Sequence, residues 1–208
     1  MNNYSNKIAI TTGDPNGIGA EIVSGEISAS AGDFAFRSLE KACEIKPKYI
    51  VTAPTSKEAM TLAGHNFSGQ TEVLGHFLAH DGQKPEMLFV SKDFRVLLLT
   101  RHIPLKNVSE TLKKEFIIEK IERLRGFMQN KLGIKKPSFA LCSLNPHAGE
   151  NGLIGDEETK NIHPAIEALR NRGINITDPL PADALFAKAV KQYLREEKQT
   201  YDSYIACY

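Results

Sequence analysis

Short apolar runs alternate with amphipathic stretches along this chain, and that alternation admits few architectures. Arg95-Val96-Leu97-Leu98-Leu99-Thr100 is the clearest run. It is short for a helix and lacks the apolar–polar alternation of a half-buried strand, so it fits a strand covered on both faces. Ile8 to Thr12, Tyr49 to Ala53, Phe139 to Ser143 and Tyr204 to Cys207 read as further strands, and Met87 to Ser91 pairs with Arg95 to Thr100 around a Lys92-Asp93 turn. Between them, helices are predicted over Ala31 to Ile45, Gln70 to His80, Ser109 to Leu132, Asp156 to Arg172 and Asp183 to Arg195, with Ser56 capping a short helix through Ala63. In the longest, Leu112, Phe116, Ile121, Leu124 and Met128 lie near one stripe, and Gly133 ends it. Strands alternating with helices predict an α/β fold with a parallel or mixed sheet. No repeat, low-complexity tract or clear linker interrupts the pattern.

The chain has 208 residues, 41% hydrophobic and 25% charged, with a net charge of +1. It is long enough for one domain or two small lobes. The near-neutral balance, with no long basic stretch, leaves no electrostatic footprint for nucleic acid. No run of about eighteen apolar residues indicates a membrane span. The segment Met1 to Lys7 runs straight into a strand and does not read as a signal peptide. Cys43, Cys142 and Cys207 are far apart, which fits reduced thiols in a cytoplasmic protein better than a disulfide frame.

The strand Phe139 to Ser143 delivers Leu144-Asn145-Pro146-His147-Ala148-Gly149-Glu150 and then Asn151-Gly152-Leu153-Ile154-Gly155. Asn, His and Glu among Pro and Gly at a strand end suit a ligand site at the C-terminal edge of a sheet. A turn with a surface His is the alternative. His102, after Thr100-Arg101, has a similar setting. Two strand-end imidazoles are either ligands for a divalent ion or structural residues. The first strand opens Gly13-Asp14-Pro15-Asn16-Gly17-Ile18-Gly19, which matches neither dinucleotide nor P-loop spacing. It is either an anion-binding helix start or a tight turn.

Six blocks then occur in order: Thr12-Gly13-Asp14-Pro15-Asn16-Gly17-Ile18-Gly19, Thr52-Ala53-Pro54-Thr55-Ser56-Lys57, Gly69-Gln70-Thr71-Glu72, His102-Ile103-Pro104-Leu105, Leu144 to Glu150, and Leu180-Pro181-Ala182-Asp183-Ala184-Leu185-Phe186. Together they resemble the 4-hydroxythreonine-4-phosphate dehydrogenase family of pyridoxal-phosphate biosynthesis. The resemblance implies a two-lobed α/β fold like that of the isocitrate and isopropylmalate dehydrogenases, with a mixed sheet. It implies a cytoplasmic homodimer with the site at the subunit interface. The implied reaction is NAD-dependent oxidation of 4-phosphooxy-L-threonine, followed by loss of carbon dioxide. A divalent metal (Zn, Mg or Co) would be held by three His, of which His102 and His147 map to two. Gln70 and Thr71 map to the family's substrate-contacting His-Thr pair, and Lys57 and Asp183 are candidates for substrate binding or proton transfer. Nucleic-acid and membrane partners are not implied.

The pattern departs from the family in three places. Ser24-Gly25-Glu26-Ile27-Ser28 follows Val23 at once, where the family has further sheet and helix, so residues 1–208 read as one incomplete domain of two interleaved lobes. The sequence stops at Tyr208, before the family's H-D-Q-G, which would supply the third His. Gln70 replaces the His of the family's G-H-T-E. These departures make an inactive remnant one alternative, with little or no turnover expected of the 208-residue chain. A relative acting on threonate or erythronate 4-phosphate is the other. Glu150 is a candidate for orienting His147 or a loop amide. His65, His76, His80 and His163 fall outside the blocks and read as surface or packing residues.

Overall fold

The computed structural model describes residues 8–11, 28–79 and 85–208. The glycine turn at 13–19 and the junction after Val23 lie outside the described residues. The chain divides into two compact units, Met1–Pro85 and Glu86–Tyr208, consecutive in sequence.

In the first unit, strand β1 (Ile8–Ile10) precedes helix α1 (Ala29–Glu44), strand β2 (Tyr49–Val51), and helices α2 (Lys57–Leu62) and α3 (Gln70–Leu78). The strands pair in parallel, Ile8 opposite Tyr49 and Ile10 opposite Val51. Ser28 Oγ accepts from the Ala31 N–H at 3.3 Å and starts α1. The buried face of α1 carries Ala31, Ala35, Leu39, Ala42 and Cys43, at the spacing of one helical stripe. Its small residues let the backbones of α1 and α2 approach closely. A Cβ on Gly32 would lie 1.9 Å from the Ala59 carbonyl oxygen, so only glycine fits there. Ser56 Oγ accepts from the Ala59 N–H at 3.1 Å, the cap the sequence predicts for α2.

The second unit is built on a five-stranded sheet. Its strands are β3 (Leu88–Ser91), β4 (Phe94–Leu98), β5 (Ser138–Leu141), β6 (Asn175–Ile176) and β7 (Ser203–Ala206), in spatial order β3-β4-β7-β5-β6. The β3–β4 hairpin is antiparallel, and the remaining pairs are parallel. The sheet is therefore mixed, as the sequence predicts. β7 is buried at every position, as a central parallel strand should be.

Helices α4 (Val108–Thr111), α5 (Lys114–Leu132), α6 (His163–Asn171) and α7 (Ala182–Leu194) complete the unit. One core gathers Phe139, Leu141 and Ile205 with α5 residues such as Ile117, Ile121 and Met128 and with Ile166 and Leu169 of α6. Alternate residues, Ala140, Cys142 and Tyr204, meet Leu185 and Ala189 of α7 instead. This division is the period-two alternation of strand side chains.

Two helices differ from the sequence expectation. The predicted helix from Ser109 to Leu132 is broken at Leu112, whose ψ of 61° leaves the helical region. The break turns Leu112, fully buried, into the core beside Val108 and Ile117. The predicted helix from Asp156 opens as a wider π-type turn, Glu158–Ile162, before α6. Pro164 has no N–H to continue a regular helical ladder, and the wide turn absorbs that loss. Gly133 takes the left-handed conformation and closes α5, as expected.

Candidate active site

In the second unit, the chain leaves β5 beside the segment that leads into α7. The Ser143 N–H donates to the Leu180 carbonyl at 2.8 Å, and the Leu180 N–H donates to the Leu141 carbonyl at 2.9 Å. These bonds set Ser143–His147 and Pro181–Ala184 on the two sides of an open cleft of about 510 Å³. Two predicted site residues thus line one cleft, His147 and Asp183, and both are exposed. Asp183 stands in the first turn of α7, where the positive end of the helix dipole favours a carboxylate.

His147 enters the cleft on an unusual backbone. Its φ/ψ of 51°/30° begins a left-handed stretch that continues through Ala148, Gly149, Glu150 and Asn151. Each non-glycine residue in this conformation costs about 1–2 kcal/mol. The surrounding contacts must therefore over-determine the turn.

The fixed point is Glu158, which is 1% exposed. Its Oε1 accepts from the Leu144 N–H at 2.9 Å and the Asn145 N–H at 2.8 Å. Its Oε2 accepts from Asn145 Nδ2 at 2.8 Å, and the same nitrogen reaches Glu157 Oε2 at 2.7 Å. A Cβ on Gly149, where φ is +77°, would lie 2.8 Å from the Gly155 carbonyl oxygen and 3.0 Å from Glu158 Oε2. Glycine satisfies both the angle and the close approach.

His102 lines a separate hollow of about 270 Å³, with Thr100, Arg101 and Tyr208 among its walls. Beyond β4, the Leu99 and Thr100 N–H groups still bond to the Ala206 and Cys207 carbonyls at 2.9 and 3.1 Å. Strand-like pairing therefore reaches Thr100, and His102, also in the left-handed region with φ 30°, follows at once.

The first unit joins the other two predicted blocks. Gln70, the first residue of α3, donates through Nε2 to the Ala53 carbonyl at 2.8 Å and to Thr55 Oγ1 at 3.0 Å. The segment before α2 is thus tied to the start of α3. Thr71 is half-buried in the first turn of α3, and Lys57 is exposed in the first turn of α2. In the same unit, His65 is a packing residue. It stacks on Phe36 with ring centroids 3.7 Å apart, and its Nε2 is 2.8 Å from Asp33 Oδ1. His76 packs edge-on against Phe77, His163 is exposed, and His80 lies outside the described residues.

The family model described as "Pyridoxal phosphate biosynthetic protein PdxA" matches residues 2–208. The chain belongs to this family. D-Threonate 4-phosphate dehydrogenase of Cupriavidus necator is 42% identical over 172 residues, covering 79% of this chain and 50% of that protein. 4-Hydroxythreonine-4-phosphate dehydrogenase of Pseudoalteromonas atlantica is 37% identical over 172 residues, covering 80% of this chain and 52% of that protein. The chain thus spans about half the length of the curated relatives it matches. The crystal structure of 4-hydroxythreonine-4-phosphate dehydrogenase from Klebsiella pneumoniae matches 98% of this chain and 64% of its own, with a TM-score of 0.75 at 31% identity. The PdxA-family resemblance and the α/β class with a mixed sheet, both expected from the sequence, are found.

In this PdxA-family chain, His102 and His147 are ligands of the right chemical type for a divalent ion. They line separate hollows, and no group of three or more His, Cys, Asp or Glu that could hold a metal gathers among the described residues. Each imidazole fits a metal as a single donor, and the described residues of one chain do not complete a ligand set. The sequence reading missed Glu158. Glu150, the candidate for holding a loop amide, is exposed, and Glu158 holds the Leu144 and Asn145 amides instead. The available signal was periodicity: Glu158 falls on the stripe of Ile162, Ala165, Ile166 and Leu169, a buried register for a carboxylate.

Proposed function

We propose that this PdxA-family chain contributes the substrate- and metal-binding segments of an NAD-dependent dehydrogenase acting on a 4-phosphorylated hydroxy acid, 4-phosphooxy-L-threonine. Oxidation of its secondary alcohol gives a 3-oxo acid that loses carbon dioxide. The observation that carries the reading is the strand-end turn presenting His147 opposite Asp183, in a chain matching the family over residues 2–208. A bound divalent metal would lower the pKa of the substrate hydroxyl and stabilise the developing carbonyl. His102 and His147 are its donors here, completed in an assembly of two copies with the site at their interface.

Gln70 supports a division of labour at the start of α3. Both hydrogens of its amide are committed to Ala53 and Thr55. Only its carbonyl oxygen is left for substrate, and that oxygen accepts from a hydroxyl or ammonium rather than binding a phosphate. Thr71, in the first turn of α3, then holds phosphate or carboxylate oxygens, favoured by the positive end of the helix dipole. Asp183 and Lys57 bind substrate or move its proton. A second reading, oxidation of D-threonate 4-phosphate, is favoured by the 42% identity to the Cupriavidus necator protein.

NAD reduction with each substrate, with Zn, Mg or Co added, tests both readings. The assay compares this chain with a version carrying the family's segments after Val23 and after Tyr208. Turnover in the longer version, abolished by His147→Ala, is the expected result. The preferred substrate decides between the readings. No turnover of either substrate in either version would favour the inactive remnant.

A further inference from the structure

We propose that Glu158 is a positioning residue for His147, acting through a buried clamp on the backbone that leads into the left-handed turn. Carboxylates are seldom fully buried without partners, and each one needs a reason to be there. The partners of Glu158 are all donors, and all sit on the two residues preceding Pro146-His147. Two are the backbone N–H groups of Leu144 and Asn145, and the third is Asn145 Nδ2. These amides lie where β5 has ended and sheet pairing no longer serves them. Half-buried N–H groups there are better served by another acceptor.

Glu158 can reach them because it opens the π-type turn ahead of α6, on the side facing the core. The core packing of Ile162, Ala165 and Leu169 thereby fixes the carboxylate. Gly149 and Gly155 close around it: a Cβ on Gly155 would stand 2.5 Å from Asn145 Nδ2. A rigid helix thus transmits its position through one carboxylate to a strained turn. Pro146, whose φ is fixed by its ring, carries that geometry one residue further to His147. The hydrogen bonds of Glu158 go to Leu144 and Asn145 and not to His147, so its effect on His147 runs through the backbone.

The experiment compares the wild-type chain with Glu158→Gln. Glutamine keeps the shape but is neutral, so its oxygen is a weaker acceptor than the carboxylate for the Leu144 and Asn145 amides, and its N–H₂ group meets the Asn145 Nδ2 donor and breaks that bond. Amide hydrogen exchange at Leu144 and Asn145 is expected to quicken at least about tenfold, while amides within α5 keep their rates. The His147 ring resonances, assigned by their loss in His147→Ala, are expected to shift, while those of His65, packed on Phe36 in the first unit, stay in place. Unchanged exchange at Leu144 and Asn145 would overturn the clamp. Faster exchange with an unmoved His147 resonance would overturn the positioning role and leave Glu158 a purely structural residue. If Glu158→Gln does not fold, Asn145→Ala removes one of the three bonds and is read by the same two measurements.

A third arm rests on the dehydrogenase reading and uses 4-phosphooxy-L-threonine, NAD and divalent metal with the longer version described above. There, Glu158→Gln is expected to lower kcat more than it raises KM, and Glu158→Gln/His147→Ala is expected to be no slower than His147→Ala alone. Additive losses would overturn action through His147. Failure of the wild type to turn over would count against the dehydrogenase reading, and the exchange and resonance measurements would still decide the clamp.

Discussion

Among single residues, the cysteines show how position sets chemistry. Burial pushes the Cys142 thiol up to about 11 and the Cys207 thiol up to about 12, with Cys142 and Glu158 adding to the effect on Cys207. Cys43 is raised by burial as well. Cys142 packs on the α7 side of the sheet and Cys207 on the α5 side, and the Cys207 thiol donates to the Cys142 backbone carbonyl at 3.4 Å, both thiols being free. Thiolate is the reactive form, and none of these sites favours it. Ellman's reagent at pH 8 is expected to label none of the three thiols in the native protein and all of them in guanidinium chloride. Rapid native labelling of Cys142 or Cys207 would contradict the structure. The linkage has a definite sign. These folded-state values lie above the ordinary thiol value of 9.0, so the associated stability is complete below that pH. It declines as the pH rises from there through about 11 and 12.

At the level of elements, the break between α4 and α5 follows from burial overriding helical continuity. Helix propensity favours an unbroken run from Ser109, worth only tenths of a kcal/mol per residue. Burying Leu112 is worth about 1.5–3 kcal/mol, so the core prevails. Leu112→Ala is expected to destabilise the protein by about 2–5 kcal/mol in urea melts. A loss below about 0.5 kcal/mol, the range of surface substitutions, would show that Leu112 does not set the break. The same contest explains what the sequence disclosed. The run Arg95–Thr100 disclosed a strand through its apolar residues, although β4 is half-buried outside Leu97 and pairs antiparallel with β3 on one side, and capped helices such as α2 announce their start. The two-residue β6 is too short for any period to register, and the π-type turn depends on Pro164 within a helical pattern. His147 was legible because Pro and Gly surround it. Glu158 was not, because acidic residues after a loop usually face solvent, and only its place on an apolar stripe distinguishes it.

At the largest scale, the described strands of the first unit carry exposed apolar side chains. Ile8, Ile10, Tyr49 and Val51 are 59%, 75%, 55% and 53% exposed, and the register places them side by side across β1 and β2. Parallel sheets are ordinarily covered on both faces, since their strands are rich in branched apolar residues. Water against four such side chains is unfavourable by about 25 cal/mol for each Å² of apolar surface. Net charge gives little protection at +1, because near-neutral proteins repel one another weakly. The chain is therefore expected to bind the dye ANS and to self-associate, with an apparent mass in sedimentation equilibrium that rises with concentration above the 23.0 kDa of one chain. Ile10→Lys combined with Val51→Lys places two charges opposite each other on that face, which removes its apolar continuity and opposes stacking of one copy on another. The double variant should return the mass towards that of one chain and weaken the dye signal. A wild-type mass that stays at 23.0 kDa across concentrations, with no dye binding, would show that this face does not drive association.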